Sequence, residues 1–188
     1  MQLNSTMRLI SGALRSTPLP WLPVLSSIEP PALRGRAAAG RLVGRVVEHG
    51  SWPVRPDVLS PPLLRLTSRK PLWLDLQPVD IESRWRHGWK SAQVVSSHLV
   101  CDPTIRQPGF DLPRQQWSLL NRFRADRGRC GACGGKWRLA DTGLCPCGET
   151  QTMSHIVESC PLTELNGGLS RLHSADGGAV SWLTNYGK

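Results

Sequence analysis

Four side chains near the C-terminal end have the types and spacing of a metal shell. Cys145, Cys147, His155 and Cys160 follow the pattern C-x-C-x7-H-x4-C. Three thiolates and one imidazole complete the tetrahedral set that Zn2+ prefers, and a full set of protein ligands leaves no open position for a reactive water. The chemistry expected here is therefore structural: a cross-link within a short loop, with zinc as the cofactor. Pro146 separates the first two thiols, and Gly148 permits the chain to fold back sharply after them. Thr152 is a predicted helix N-cap, which sets His155 on a short helix and Cys160 on it or just past its end.

Other readings of the same residues stay open on spacing alone. Buried thiols and a surface histidine would give the same letters. A rival shell also exists, because Cys130 and Cys133 form a C-x2-C pair upstream of Cys145. Cys130, Cys133, Cys145 and Cys147 together would resemble a zinc ribbon and leave His155 and Cys160 idle. Cys101 stands apart, and its default reading is a buried or inert thiol. The chain opens on Met1-Gln2-Leu3-Asn4 with no basic stretch leading into an apolar one, and it has no apolar run long enough to span a bilayer. Thiols destined for a metal in a reducing compartment, nucleus or cytoplasm, are the expectation.

The elements that must position this shell are helices. Asp111-Leu112-Pro113 opens a predicted helix to about Arg124, with Trp117, Leu120 and Phe123 as its apolar stripe. It carries Arg114, Arg122 and Arg124, and Arg127, Arg129, Lys136 and Arg138 follow. Asp126 is the one acid in that run, which leads straight into the cysteines. Upstream, Pro30-Pro31 opens a helix predicted over 31–48, with Leu33, Ala37, Leu42, Val43, Val46 and Val47 at helical period and arginines opposite. A further helix is predicted over 81–94. Its Trp85 and Trp89 fall on one face among basic residues; they read as core residues or as stacking platforms for bases.

Residues 1–15 carry a short apolar pattern that is expected to fray, and Pro18, Pro20 and Pro23 predict an extended or turn-like path around Trp21. The proline-punctuated stretch 51–80 reads as irregular chain with a helical turn near Pro61–Leu66, and 95–112 as loop. Past Cys160, Leu169, Leu172, Val180, Trp182 and Leu183 predict two short helices. The fold class expected is mostly α, with long irregular Pro-rich loops and a small zinc-knuckle module. Composition divides the chain into a helical segment 1–50, a Pro-rich linker with one helix 51–110, and a basic helix plus knuckle 111–188.

Charge separates along the same lines. The net formal charge is +9; residues 1–140 hold 21 Lys and Arg against 9 Asp and Glu, and residues 141–188 hold 2 against 5. The cationic surplus thus lies outside the knuckle and is nearly all arginine, whose planar fork pairs with phosphate and stacks on bases. A solvated arginine surface is the plain alternative; nucleic acid is the partner expected.

Five stretches carry a resemblance. The run from Trp117 to Cys130 (WSLLNRFRADRGRC), then Lys136–Leu139 (KWRL), then Cys145–Cys160 followed by Pro161-Leu162-Thr163, resembles the C-terminal tail of reverse transcriptases from jockey-like LINE (non-LTR) retrotransposons. Met7–Leu25 and Ile28–Arg34 are similar to the segment that follows the polymerase thumb in that family. The resemblance implies element RNA or target DNA as partner. It does not bring the active part with it. The polymerase palm needs adjacent aspartates to hold two metal ions, and this chain has no Asp-Asp pair and a single tyrosine, Tyr186. Endonuclease motifs and a glycine-rich phosphate loop are missing too, and no small-molecule substrate is evident. The functional expectation is a nucleic-acid-binding, non-enzymatic C-terminal fragment of an RNA-directed DNA polymerase. The alternatives are a non-functional truncated element copy or a protein–protein adaptor.

Overall fold

A computed structural model describes residues 2–60, 80–136 and 142–186. These residues are mostly helical. They form α1 (Gln2–Ser11), α2 (Trp21–Ser26), α3 (Pro31–Glu48), α4 (Arg55–Leu59), α5 (Ile81–Ser91), a 3-10 turn at Ser97–Leu99, α6 (Arg114–Arg124), α7 (Gly131–Lys136), α8 (Met153–Glu158), α9 (Gly168–Ser174) and α10 (Gly177–Tyr186). Extended pairing among the described residues is a single antiparallel bridge, Leu144 with Thr150.

The chain divides into two compact units, Glu29–Gly88 and the combination of Met1–Ile28 with Trp89–Lys188. Their limits differ from the shifts in composition at 50 and 110. Composition follows prolines and charge, whereas a compact unit follows which apolar faces meet.

In the unit Glu29–Gly88, α3 has the bounds its pattern predicts. Pro31 occupies the first turn, where its missing N–H leaves nothing unpaired. Of its apolar stripe, Val46 is buried, while Leu42 and Val47 are exposed. The Arg55 Nε–H donates to the Val47 carbonyl at 3.3 Å and fastens α4 to α3. The helical turn expected near Pro61–Leu66 lies outside the described residues. At the start of α5, Asp80 accepts from the backbone N–H of Glu82 and Ser83. α5 ends three residues sooner than the 81–94 expected.

In the other unit, α6 is the central helix. It packs against α1, α9 and α10, and α8 packs against α9. Trp117, Leu120 and Phe123 are buried, as the stripe predicts, together with Ile156, Val157, Leu172 and Leu183 from the later helices. Each such side chain contributes about 1.5–3 kcal/mol on leaving water. Rings interlock in this core: Phe123 lies edge-on to Trp182 and to Tyr186, with centroids 5.4 and 5.5 Å away. The Trp182 Nε1–H donates to the Thr163 carbonyl at 2.7 Å, so the indole is polar-satisfied as well as packed.

Two expectations for the N-terminal segment are corrected. Residues 2–11 form α1 with Met7 fully buried, and the Asn121 Nδ2–H donates to the Ser11 carbonyl at 2.9 Å. Prolines predict an extended or turn-like path around Trp21; residues 19–20 do form a turn, but 21–26 are helical. Pro23 falls in the first turn of α2, where a proline costs no hydrogen bond, and every residue of α2 is buried. Trp21 meets Trp89 edge-on at 5.0 Å, and the Trp89 Nε1–H donates to the Val100 carbonyl. Trp85 and Trp89 are both buried, so neither offers a face for stacking bases. Cys101, expected to be buried or inert, is exposed.

Candidate metal centre

The cysteine knuckle begins at the bridge between Leu144 and Thr150. The Cys145 N–H donates to the Glu149 carbonyl at 2.7 Å, and the Gly148 N–H returns to the Cys145 carbonyl at 2.8 Å. Gly148 has φ +95°, a conformation that glycine adopts at little cost and other residues rarely do. This tight turn brings Cys145 and Cys147 to one side of the loop.

α8 supplies the remaining pair. Thr152 caps it as predicted: its hydroxyl accepts from the His155 N–H at 3.0 Å. That bond fixes the first turn and hence the direction of His155. The Cys160 N–H then donates to the His155 carbonyl at 2.8 Å, which curls the chain back beneath the imidazole.

One ligand atom from each of Cys145, Cys147, His155 and Cys160 lies within 4.8 Å of all the others. The Sγ atoms of Cys145 and Cys160 are 3.5 Å apart, and Cys147 Sγ is 3.2 Å from His155 Nε2. A tetrahedral zinc with Zn–S bonds of about 2.3 Å has S···S edges of about 3.8 Å. The donors therefore already stand near the corners such an ion needs. Cys145, His155 and Cys160 are buried and Cys147 is half-buried, so the set is shielded from bulk water.

The surroundings match the donor set. With Nε2 turned toward Cys147, the other ring nitrogen, Nδ1, lies 3.0 Å from the Ser159 hydroxyl and 3.3 Å from a Glu149 carboxylate oxygen. A metal-bound histidine commonly hands its second N–H to such a carboxylate or hydroxyl, which fixes the ring and its tautomer. Thr163, and then the Leu162 N–H, hold the Cys160 thiol well below the ordinary cysteine range, at about 6, against the opposing effect of burial. A thiolate is thus favoured where a cation would sit. Gln151 ties the loop to the preceding helix: its Oε1 accepts from the Gly131 N–H at 2.8 Å, and its carbonyl accepts from the Ala132 N–H.

The rival shell does not form. Cys145 and Cys147 converge on His155 and Cys160, and among the described residues this is the one such cluster. Cys130 is instead part of the hydrophobic core, where burial pushes its thiol up, and Cys133 lies beside it.

No family model, curated protein or solved structure matches the chain.

The seven expected nucleic-acid contacts separate into different classes. Arg124 is corrected outright. Its side chain is fully buried, and its guanidinium donates to His173 Nδ1, Asn121 Oδ1 and the carbonyls of Pro108 and His173 while lying 5.3 Å over the Trp117 ring. No phosphate can reach it. Arg114 is exposed and donates to the carbonyls of Leu9 and Ile10 at the end of α1. Arg127 is half-buried and donates to the carbonyls of Ser16 and Asp126. Arg129 is exposed. Arg122 is half-buried and has no hydrogen bond or ion pair with the described residues; its Nε is shut off from solvent. The Lys136 side chain and Arg138 lie outside the described residues.

Sequence reasoning passes over Glu149, Ser159, Gln151 and Thr163. Each acts through a contact with a ligand or a loop end, and no spacing rule marks such partners.

Proposed function

We propose that this chain is a zinc-clasped nucleic-acid-binding module, of the kind that the resemblance to the C-terminal tail of jockey-like LINE reverse transcriptases implies. The observation that carries the reading is the convergence of Cys145, Cys147, His155 and Cys160 directly behind an arginine-bearing helix. Zinc in this shell supplies a rigid cross-link with all four positions taken by protein. The protein does the rest. Met153, the first residue of α8, packs against the backbone of Gly128, whose added Cβ would lie 2.4 Å from the Met153 methyl. Gln151 holds the start of α7. The segment bearing Arg127 and Arg129 is therefore pinned between α6 and the knuckle.

Pinning matters because a guanidinium already held in place loses less freedom on meeting a phosphate. Arg114, Arg122, Arg127 and Arg129 are the cations available in this region; Arg124 supports the helix that presents them. Element RNA or target DNA is the partner this reading names. A purified product without zinc and without cooperative melting would favour the remnant alternative.

The test uses the full chain purified with zinc and a single-stranded RNA oligonucleotide. Binding is expected to weaken with salt at a log–log slope of about −0.7 for each phosphate neutralised. Arg127→Ser together with Arg129→Ser is expected to lower both affinity and slope. Absence of measurable RNA or DNA binding by the zinc-loaded wild type would overturn the reading.

A further inference from the structure

We infer that the groove between α6 and α10 is a binding track for the backbone of single-stranded nucleic acid, with Arg114 and Arg122 as its two phosphate clamps. The inference rests on the nucleic-acid reading above and locates a strand on this surface. The groove encloses about 530 Å3. Arg114, Gln115, Ser118 and Arg122 line it from α6, and Gln116 and Thr184 close it across to α10. Leu119 and Leu183 also line it, and among the described residues no acidic one belongs to it.

Three observations point to an anionic, extended ligand. First, Arg122 lines the groove half-buried and makes no hydrogen bond or ion pair with the described residues. Its Nε is enclosed by protein, and its terminal nitrogens keep their donors for a phosphate oxygen. Second, the residues beside it are amides and hydroxyls, which donate to phosphate oxygens and sugar hydroxyls without adding charge. The Gln116 Nε2–H donates to Thr184 Oγ1 at 2.7 Å, so the two walls are bonded to each other before any ligand arrives. Third, the spacing suits an extended ligand. Arg114 and Arg122 are two turns apart with Ser118 midway, so all three fall on one stripe, and the helix rise places the arginines about 12 Å apart. A strand carrying several phosphates in a row can set a different one against each arginine.

The experiment is fluorescence anisotropy of the zinc-loaded full chain with a labelled single-stranded RNA of ten nucleotides across a salt series. Arg114→Ser with Arg122→Ser is expected to reduce the log–log salt slope by about 1.4, at about 0.7 for each phosphate no longer neutralised. Arg114→Lys with Arg122→Lys is expected to keep most of the slope. Thr184→Trp, which fills the groove and removes no charge, is expected to weaken binding. Thermal melting and zinc content verify that each variant is folded.

If the double serine and Thr184→Trp variants bind as wild type while Arg127→Ser with Arg129→Ser loses affinity, the groove is overturned and the wider reading stands. Equal competition by inorganic phosphate or a mononucleotide would overturn the extended strand in favour of a single-anion pocket. If the wild type retains an acidic peptide and no RNA or DNA, both the groove and the functional reading fail.

Discussion

The Nε–H of Arg124 on α6 donates to Nδ1 of His173 on α9, 3.0 Å away, in a part of the molecule from which Arg124 is wholly excluded from solvent. Among the described residues no carboxylate joins them. Burial lowers the Arg124 guanidinium to about 9, which still leaves it protonated at neutral pH. The His173 imidazole is lowered to about 4, first by burial and then by the Arg124 charge, so it stays neutral and accepts. The cation is balanced by acceptors alone: an imidazole nitrogen, the Asn121 amide oxygen and two backbone carbonyls.

Replacing Arg124 should therefore damage the fold and not a ligand contact. Lysine cannot reach four acceptors from one planar fork, and it leaves several buried carbonyls unpaired. Arg124→Lys is expected to cost about 3 kcal/mol of stability, measured by urea denaturation. A variant that melts like wild type but binds nucleic acid poorly would return Arg124 to the binding surface.

His173 should give the fold an acid limit. Its folded pKa is about 4 against an ordinary value of 6.5, so the unfolded chain takes up the proton first as pH falls. Its stabilising contribution is complete above about 6.5 and is lost as pH drops toward 4. His173→Asn keeps an acceptor near Nδ1 and removes the titration. The expected result, from melting curves on chelator-treated protein between about pH 4 and 7, is a flatter stability profile than wild type. An unchanged slope would mean that other groups set it.

The metal shell makes the sharpest prediction. One zinc per chain is expected by elemental analysis. Cys145→Ser and Cys160→Ser should each lose it, whereas Cys130→Ser and Cys133→Ser should retain it. Glu149→Ala with Ser159→Ala removes the partners of His155 Nδ1 and is expected to weaken metal affinity about 10–100-fold. Retention of zinc by Cys160→Ser with its loss in Cys130→Ser would replace this shell with the ribbon-like one.

Local chemistry written into consecutive residues was legible without coordinates. Pro31 at the head of α3, the stripe of Trp117, Leu120 and Phe123, the Thr152 cap and the Gly148 turn each depend on neighbours within a few positions. The convergence of the four candidate ligands was legible too, because Cys145 to Cys160 is one short loop and helix whose own hydrogen bonds bring the side chains together. Tertiary structure decided what distant residues do to one another. An arginine in a run of basic residues reads as surface, yet Arg124 faces the side of α6 where Pro108 and His173 close over it. The prolines around Trp21 read as extended or turn-like chain, yet burial of every residue from Trp21 to Ser26 makes a helix there worth its local cost. Spacing names the side chains a turn can gather; which face meets the core is set by the apolar area that partners far along the chain can cover.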